Sequence, residues 1–288
     1  MASDMNRILV TGASGRVGRH VVSQLRAAGT GVRAMYRNPE RANLPADVEV
    51  MAGDLTLPGT LDACLSGVDS VFLVWCAESA PVPAAIERIA RHARRIVFLS
   101  SPYQMPHPFF QAAQPNAVSL LHEKIERSIR ESGLEWTFLR PGMFAANAGP
   151  FWGPQIRAGN VVRWPYALAA TAPIDERDIA AVAVHALHNG SCAGAEYVLT
   201  GPQSLTQLDQ VSIIGDVLGR SLRFEEMTPS DALRELAAMS PPIATMLLAA
   251  WAAAVGQPAL VTSTVFEVTG AQPRTFREWA TDNTSEFQ

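Results

Sequence analysis

Three glycines at three-residue intervals stand near the N-terminus, in Thr11-Gly12-Ala13-Ser14-Gly15-Arg16-Val17-Gly18. A short apolar run, Ile8 to Val10, stops just before them, and apolar residues at 17, 21, 22 and 25 follow at helical spacing. The pattern predicts strand, tight turn and helix, with glycine where backbone must bend or come close to a ligand. A helix opened by such a turn presents unpaired N–H groups and a positive dipole end, the chemistry that holds a pyrophosphate. Gly12, Ser14, Gly15, Arg16, Val17 and Gly18 are the candidate cradle.

The next informative place is the end of the second expected strand, Gly31 to Arg37. An acidic residue there would hold the ribose 2′-hydroxyl of NAD. This chain has Tyr36-Arg37 instead. A guanidinium pairs with a 2′-phosphate that a carboxylate would repel, and Arg16 can add a second positive group. NADP(H) is therefore expected in preference to NAD(H); the plainer alternative for Arg37 is a solvated loop charge. Asp54, leaving the third strand through Gly53-Asp54-Leu55, is placed to accept from an adenine amino group with Leu55 over the ring. Its plainer alternative is a turn or helix cap.

The elements that must position these groups alternate. Ser70 to Cys76 is almost wholly apolar, as a parallel strand buried on both faces requires. Helix 83–94, strand Arg95 to Ser101, helix 118–131 and strand Glu135 to Gly142 follow. The expected fold class is α/β, a doubly wound parallel-sheet Rossmann fold with a smaller, mainly C-terminal substrate-binding lobe. Ligands of such sheets lie beyond the carboxyl ends of the strands. That places Gly12, Arg37, Asp54, the run Val74-Trp75-Cys76, Ser100-Ser101 and the exit Pro141-Gly142-Met143-Phe144 among the cofactor candidates. Residues 1–144 would form the nucleotide domain, with 173–200 returning to it; 145–172 and 201–288 would form the substrate lobe.

Composition narrows the classes. The chain has 288 residues, 48% hydrophobic and 17% charged, with net charge −4 and no basic block able to track a phosphate backbone, so nucleic acid is not an expected partner. No run reaches the ~18 apolar residues of a membrane span, and Met1 to Asn6 lacks the pattern of a signal peptide. Cys64, Cys76 and Cys192 have no metal-ligand spacing, so no metal is expected; a reduced cytoplasmic protein, monomer or homodimer, is the simplest reading.

With those pieces placed, the chain resembles an atypical short-chain dehydrogenase/reductase, close to the NmrA-like and triphenylmethane-reductase-like group. The glycine turn matches that family's TGxxGxxG. Gly53-Asp54-Leu55, Phe98-Leu99-Ser100-Ser101, Leu139 to Phe144, Pro173 to Ala180 and Tyr197 to Pro202 match later signatures, so the resemblance covers nearly the whole chain. It implies a Tyr-x-x-x-Lys pair in the helix after the fifth strand, where the lysine lowers the pKa of a phenol that exchanges a proton with substrate. Aligned on the glutamate and Ser-Gly that close this helix, the lysine position falls on His122, the glutamate on Glu126 and the tyrosine on Val118. The phenol is missing. His122 then becomes the candidate to hold the nicotinamide ribose or to donate a proton, against the alternative of a packed core histidine. Lys124 is ~200° around the helix from His122 and on another face. Glu126 reads as structural. Tyr103, on the Pro102–Pro115 loop, is the candidate replacement donor, or else a wall of the substrate pocket.

The back half reads as material for that pocket. Residues 145–172 mix Phe151, Trp152, Trp164 and Tyr166 with loop formers. Helices are expected at 175–188, 205–219 and 241–255, with Thr228-Pro229-Ser230-Asp231 opening another. Met239 and Met246 near the third suit an adaptable apolar surface or plain core filling. The function this implies is NADP(H)-dependent hydride transfer to a hydrophobic carbonyl, quinone, imine or conjugated acceptor. The alternatives are a non-catalytic, dinucleotide-binding regulator or redox sensor, and an isomerase or cyclase that keeps its nucleotide.

Overall fold

In the computed structural model, residues 7–112, 114–236 and 240–288 are described; Met1 to Asn6 and Met239, both read above, lie outside them. The chain divides into two compact units. One comprises the chain to Ser101, Ala117–Pro141 and Glu176–Val198; the other comprises Pro102–Asn116, Gly142–Asp175 and Leu199–Gln288.

The first unit is built on a seven-stranded sheet. Its strands are β1 (Arg7–Val10), β2 (Gly31–Tyr36), β3 (Glu49–Ala52), β4 (Ser70–Leu73), β5 (Arg95–Leu99) and β6 (Glu135–Pro141), with a last strand at Ala195–Leu199. The spatial order is β3-β2-β1-β4-β5-β6 and then the last strand. The pairs β2–β3, β1–β2, β1–β4, β4–β5 and β5–β6 are parallel, with Val10 opposite Ala34 on one side and Phe72 on the other. The order reverses between β1 and β4, and in such sheets the crevice at that reversal takes the ligand. Every residue of β4 is buried, which is why the sequence there is continuously apolar rather than alternating.

Helices close both faces. With α1 (Gly18–Ala27), α2 (Leu61–Leu65), α3 (Val82–His92) and α5 (Ala117–Glu131), the crossovers run in chain order; α4 (Pro108–Gln111), between α3 and α5 in sequence, belongs to the second unit. Leu61, Leu65, Ile86, Ile89, Ile125 and Ile129 pack on the face carrying Leu9, Val71, Ile96 and Phe98. The other face is closed by α1 against the helix Glu176–His188.

The second unit holds α4 and, in chain order, α6 (Ala148–Ala158), β7 (Val161–Trp164) and β8 (Ala170–Thr171). Beyond the returning helix and strand come β10 (Leu205–Thr206), α8 (Gln207–Leu218), β11 (Arg223–Glu226), α9 (Pro229–Leu236) and α10 (Pro241–Ala254), numbering the returning helix α7 and the last sheet strand β9. Thr206 and Asp209 form a reciprocal capping box at the start of α8, and the Thr228 hydroxyl accepts from Asp231 N–H to open α9.

The expectation of loop material over 145–172 is corrected here. Residues 148–158 form an α-helix despite Gly149, Gly153 and Pro154. A Cβ on Gly149 would lie 2.7 Å from a carboxylate oxygen of Glu286, and one on Gly153 2.7 Å from its carbonyl oxygen. Those glycines serve close approach to the C-terminal segment, a tertiary cause invisible in local spacing. The proline-rich stretch 102–115 likewise contains the short α4.

Candidate functional site

The glycine turn begins from a latch. The Thr11 hydroxyl accepts from Val74 N–H at 2.7 Å and donates to the Val74 carbonyl at 3.1 Å, joining the ends of β1 and β4. Gly12 follows with φ +62°, in the left-handed region where a side chain is strained. Gly15 N–H donates back to the Gly12 carbonyl at 2.8 Å. A Cβ on Gly18 would sit 2.1 Å from that same oxygen, so the helix starts against the turn only because Gly18 has none. No side chain caps α1, and its first turn carries no acid. Gly12, Ser14, Gly15 and Arg16 are exposed, whereas Val17 and Gly18 are buried and meet a ligand only through backbone. An uncapped N-terminus of this kind is an anion cradle.

Arg37 lies exposed just beyond β2, with no hydrogen-bond or ion-pair partner among the described residues. The neighbouring Arg33 is the opposite case: it is buried and committed to Glu49 and to the Cys64 and Ser66 carbonyls. Asp54 does both things its position offered. Its Oδ1 accepts from the Thr56 N–H and hydroxyl, each at 2.8 Å, capping the turn, while Oδ2 has no partner among the described residues. Leu55 is half-buried against the core.

At the end of β4, Val74 is half-buried, Trp75 is buried and Cys76 is exposed. The Trp75 indole N–H donates to the Ala77 and Glu78 carbonyls, so that side chain is structural and only its backbone is available. Beyond β5, Ser100 and Ser101 differ. Ser100 is buried and donates to Glu126 at 2.6 Å. The Ser101 hydroxyl oxygen is buried without a partner among the described residues.

Glu126 is the centre of a buried ion network. Arg140 on β6 donates to both its oxygens, at 3.1 and 2.6 Å, Arg130 donates at 3.1 Å, and Arg140 also reaches Glu196 at 2.8 Å. With its oxygens so occupied, Glu126 ties α5 to β6 and to the residue after β5. His122, one turn before it on α5, donates Nδ1–H to the Val118 carbonyl at 2.8 Å and lies against Phe98 with ring centroids 5.7 Å apart. Burial pushes its pKa below the ordinary histidine value, and the Val118 hydrogen bond and the Glu126 charge only partly oppose this. The neutral ring therefore presents Nε2 as a hydrogen-bond acceptor. Lys124 points elsewhere, its Nζ donating to the Ser79 carbonyl at 2.7 Å.

Pro141 closes β6 in the first unit; Tyr103, Gly142, Met143 and Phe144 belong to the second. Tyr103 is buried. Gly142 N–H donates to the Leu199 carbonyl, and Met143 and Ala145 bracket Ile174 through backbone bonds. Two shallow crevices open among the described residues of the second unit, each with room for little more than a water molecule. One is lined by His107, Phe109 and Phe110 with Gly142, Met143, Thr171 and Thr200 among others. The other is lined by Phe151, Trp152 and Trp251 with Gln207 and Gln210, and shares Met143 and Thr171 with the first. No charged side chain lines either. The two glutamines were not singled out by sequence; the available signal was a pair of amides one helical turn apart, directly after the Thr206 cap.

The parallel sheet, its reversal and the glycine cradle define a dinucleotide-binding α/β protein. Residues 12–190 match the family model described as NAD(P)H-binding. The chain is 38% identical, over 97% of its length and 99% of the relative's, to (4-alkanoyl-5-oxo-2,5-dihydrofuran-3-yl)methyl phosphate reductase of Streptomyces griseus. It is 32% identical, over 97% and 99%, to the NAD(P)H azoreductase of Xenophilus azovorans. In fold it is similar to the triphenylmethane reductase of Citrobacter sp. complexed with NADP(H), with a TM-score of 0.76 and 18% identity over 96% of this chain and 99% of that one. The chain belongs to the NAD(P)H-binding family, and its relatives place it among that family's oxidoreductases. No helix among the described residues is long and apolar enough to cross a membrane.

Proposed function

We infer that the protein is an NADP(H)-dependent reductase of a hydrophobic, electron-poor acceptor: a conjugated carbonyl, quinone, imine or related unsaturated compound. The observation that carries this reading is the occupant of the proton-donor position. Val118 stands there, and its carbonyl is taken by His122. A neutral His122 accepts rather than donates, so the helix offers no acid. Acceptors that spread the incoming negative charge over their own conjugated oxygens or nitrogens need none during the transfer.

The features that fit the dinucleotide are the cradle filled by a Cβ at Gly18, the uncapped start of α1, and the buried Ser101 hydroxyl that lacks a partner. Arg37 would pair with a 2′-phosphate, Asp54 Oδ2 would accept from the adenine amino group, and His122 Nε2 would accept from a ribose hydroxyl. The reduced nicotinamide, when bound, supplies the hydride. The crevices of the second unit carry no acidic, lysine or arginine side chain in their lining. The name of the Streptomyces relative gives it an unsaturated lactone bearing an alkanoyl group and a methyl phosphate, and that of the Xenophilus relative an azo compound; both share a conjugated acceptor, and the first also carries a charged group. Tyr103 is buried and lines neither crevice, and the reading gives it no part in proton transfer. The protein would work in the cytoplasm as a monomer or homodimer.

The test is oxidation of NADPH, followed by the loss of its near-ultraviolet absorbance, across a panel of conjugated lactones, quinones, imines, azo dyes and simple ketones. Turnover with the conjugated members and little with the ketones is expected. Binding of NADPH without turnover of any member would favour the second reading, a dinucleotide-binding regulator, to which the missing phenol also lends itself.

A further inference from the structure

The loop between β4 and α3 is fastened by side chains. Trp75 Nε1–H donates to the Ala77 and Glu78 carbonyls at 3.1 and 3.2 Å, and Lys124 Nζ, on α5, donates to the Ser79 carbonyl at 2.7 Å. Two side chains thus hold three successive carbonyls. They differ in reach. Trp75 bonds the residues just after it and shapes the turn, whereas Lys124 lies 45 positions along the chain. Among the described residues, Lys124 is the only group outside Trp75 and α3 that hydrogen-bonds residues 76–81. Burial does not anchor this stretch, because Cys76 and residues 78–80 are exposed. Its position therefore leans on these few bonds.

The order of the sheet says what the loop borders. Its strands run β3-β2-β1-β4-β5-β6. Arg37 and Asp54 follow β2 and β3, on one side of the glycine cradle that opens at the end of β1. A dinucleotide with its adenosine on that side and its pyrophosphate at the cradle must carry its other half over β4 and β5, past residues 76–81. That half is the nicotinamide nucleotide.

We propose that Lys124 is a positioning residue for the cofactor: its bond to Ser79 sets the 76–81 loop along the nicotinamide half of the crevice before the nucleotide arrives. Lys124 acts through the loop rather than on the nucleotide. With the loop already placed, less chain has to be ordered on binding, and more of the contact energy appears as affinity. An exposed bond of this kind adds little to global stability, so its effect belongs to the local equilibrium of the loop. This role rests on the placement of adenosine at Arg37 and Asp54, and is independent of which acceptor is reduced.

The test measures binding by calorimetry and stopped-flow fluorescence in the wild type, in Lys124→Met, which keeps the stem and removes the donor, and in Lys124→Arg, which keeps a donor. Two probes are used: NADPH, and adenosine 2′,5′-bisphosphate, which is NADPH without its nicotinamide nucleotide half. Lys124→Met should bind NADPH about three- to tenfold more weakly, through faster dissociation, and the bisphosphate with less than about a twofold change. Lys124→Arg should restore NADPH binding to within about twofold of the wild type. Because the Ser79 carbonyl is neutral, the loss should persist at high salt, where a long-range pull of the ammonium on the phosphates is screened. Equal losses for the two probes, a loss that vanishes with salt, or an unchanged NADPH affinity would overturn the proposal. Hydrogen exchange in the nucleotide-free proteins reads the loop itself. Amides of 76–81 should exchange faster in Lys124→Met, and equal exchange overturns the proposal even where affinity falls. Wild-type protein that binds neither probe sinks the nucleotide placement and the proposal with it; binding of both probes, indifferent to Lys124→Met, sinks the proposal alone.

Discussion

His122 gives its Nδ1–H to the carbonyl of Val118, one turn earlier on the same helix, at 2.8 Å. The bond fixes the tautomer and leaves Nε2 as the only free polar atom of the ring. It also relates the two positions at which the resembled family carries lysine and tyrosine, so in this chain that pair of positions is closed upon itself.

Burial lowers the pKa of His122, and the sign of its contribution to stability follows. Between the lowered native value and the ordinary value of about 6.5, the unfolded chain binds a proton that the native chain does not. Stability from this group is therefore fully present above about pH 6.5 and is lost as the pH falls below it. Denaturant melts from neutral to mildly acidic pH should show that fall in the wild type and a shallower one in His122→Gln. Parallel curves would remove His122 from the explanation.

Glu126→Gln should be among the most damaging single changes in the first unit. Its carboxylate is wholly buried and holds Arg140, itself 4% exposed, together with Arg130 and Ser100. Removing the buried carboxylate leaves Arg140 with the half-exposed Glu196 as its remaining counter-charge, at a cost of up to about 3–5 kcal/mol. Lys124→Ala, two residues away, breaks one exposed bond to the Ser79 carbonyl and should cost under about 1 kcal/mol. Urea denaturation of the two variants measures the contrast.

That contrast indicates what the sequence made legible. The strand-turn-helix, the alternation of strands with helices and the different faces of His122 and Lys124 follow from periodicity alone, which local spacing carries in full. The α6 helix does not follow, because Gly149, Gly153 and Pro154 are local breakers, and the two glycines are explained only by Glu286, far along the chain. The crevices are illegible for the same reason: Met143, Trp152, Thr171, Gln207 and Trp251 come from five separate stretches. Single residues stood between these cases. Trp75 was legible as a strand-end residue, but that its indole is spent on the Ala77 and Glu78 carbonyls required the fold.

Gly18→Ala isolates the cradle from the rest of the site. The new methyl would stand 2.1 Å from the Gly12 carbonyl oxygen, which is backbone and cannot rotate away. The helix must retreat from the turn, at a cost of about 1–3 kcal/mol for overpacking. NADPH affinity should fall at least tenfold. Calorimetry reads that loss, and unchanged NADPH affinity would show that the cradle tolerates the retreat.

Arg37→Ala tests cofactor choice. Arg37 is exposed and has no partner among the described residues, so its removal breaks no structural contact and should leave the melting temperature unchanged. If it meets the 2′-phosphate, the variant loses a charge-assisted hydrogen bond worth about 1.5–3 kcal/mol, so NADPH should bind roughly tenfold to a hundredfold more weakly. NADH lacks that phosphate and should bind as before. The informative quantity is the ratio of the two dissociation constants, because a general loosening of the turn moves both together. The loss for NADPH should also shrink at high salt, since an exposed ion pair is screened within about 10 Å at moderate ionic strength. Equal losses for the two nucleotides would assign Arg37 to the solvated surface and leave the 2′-phosphate to Arg16.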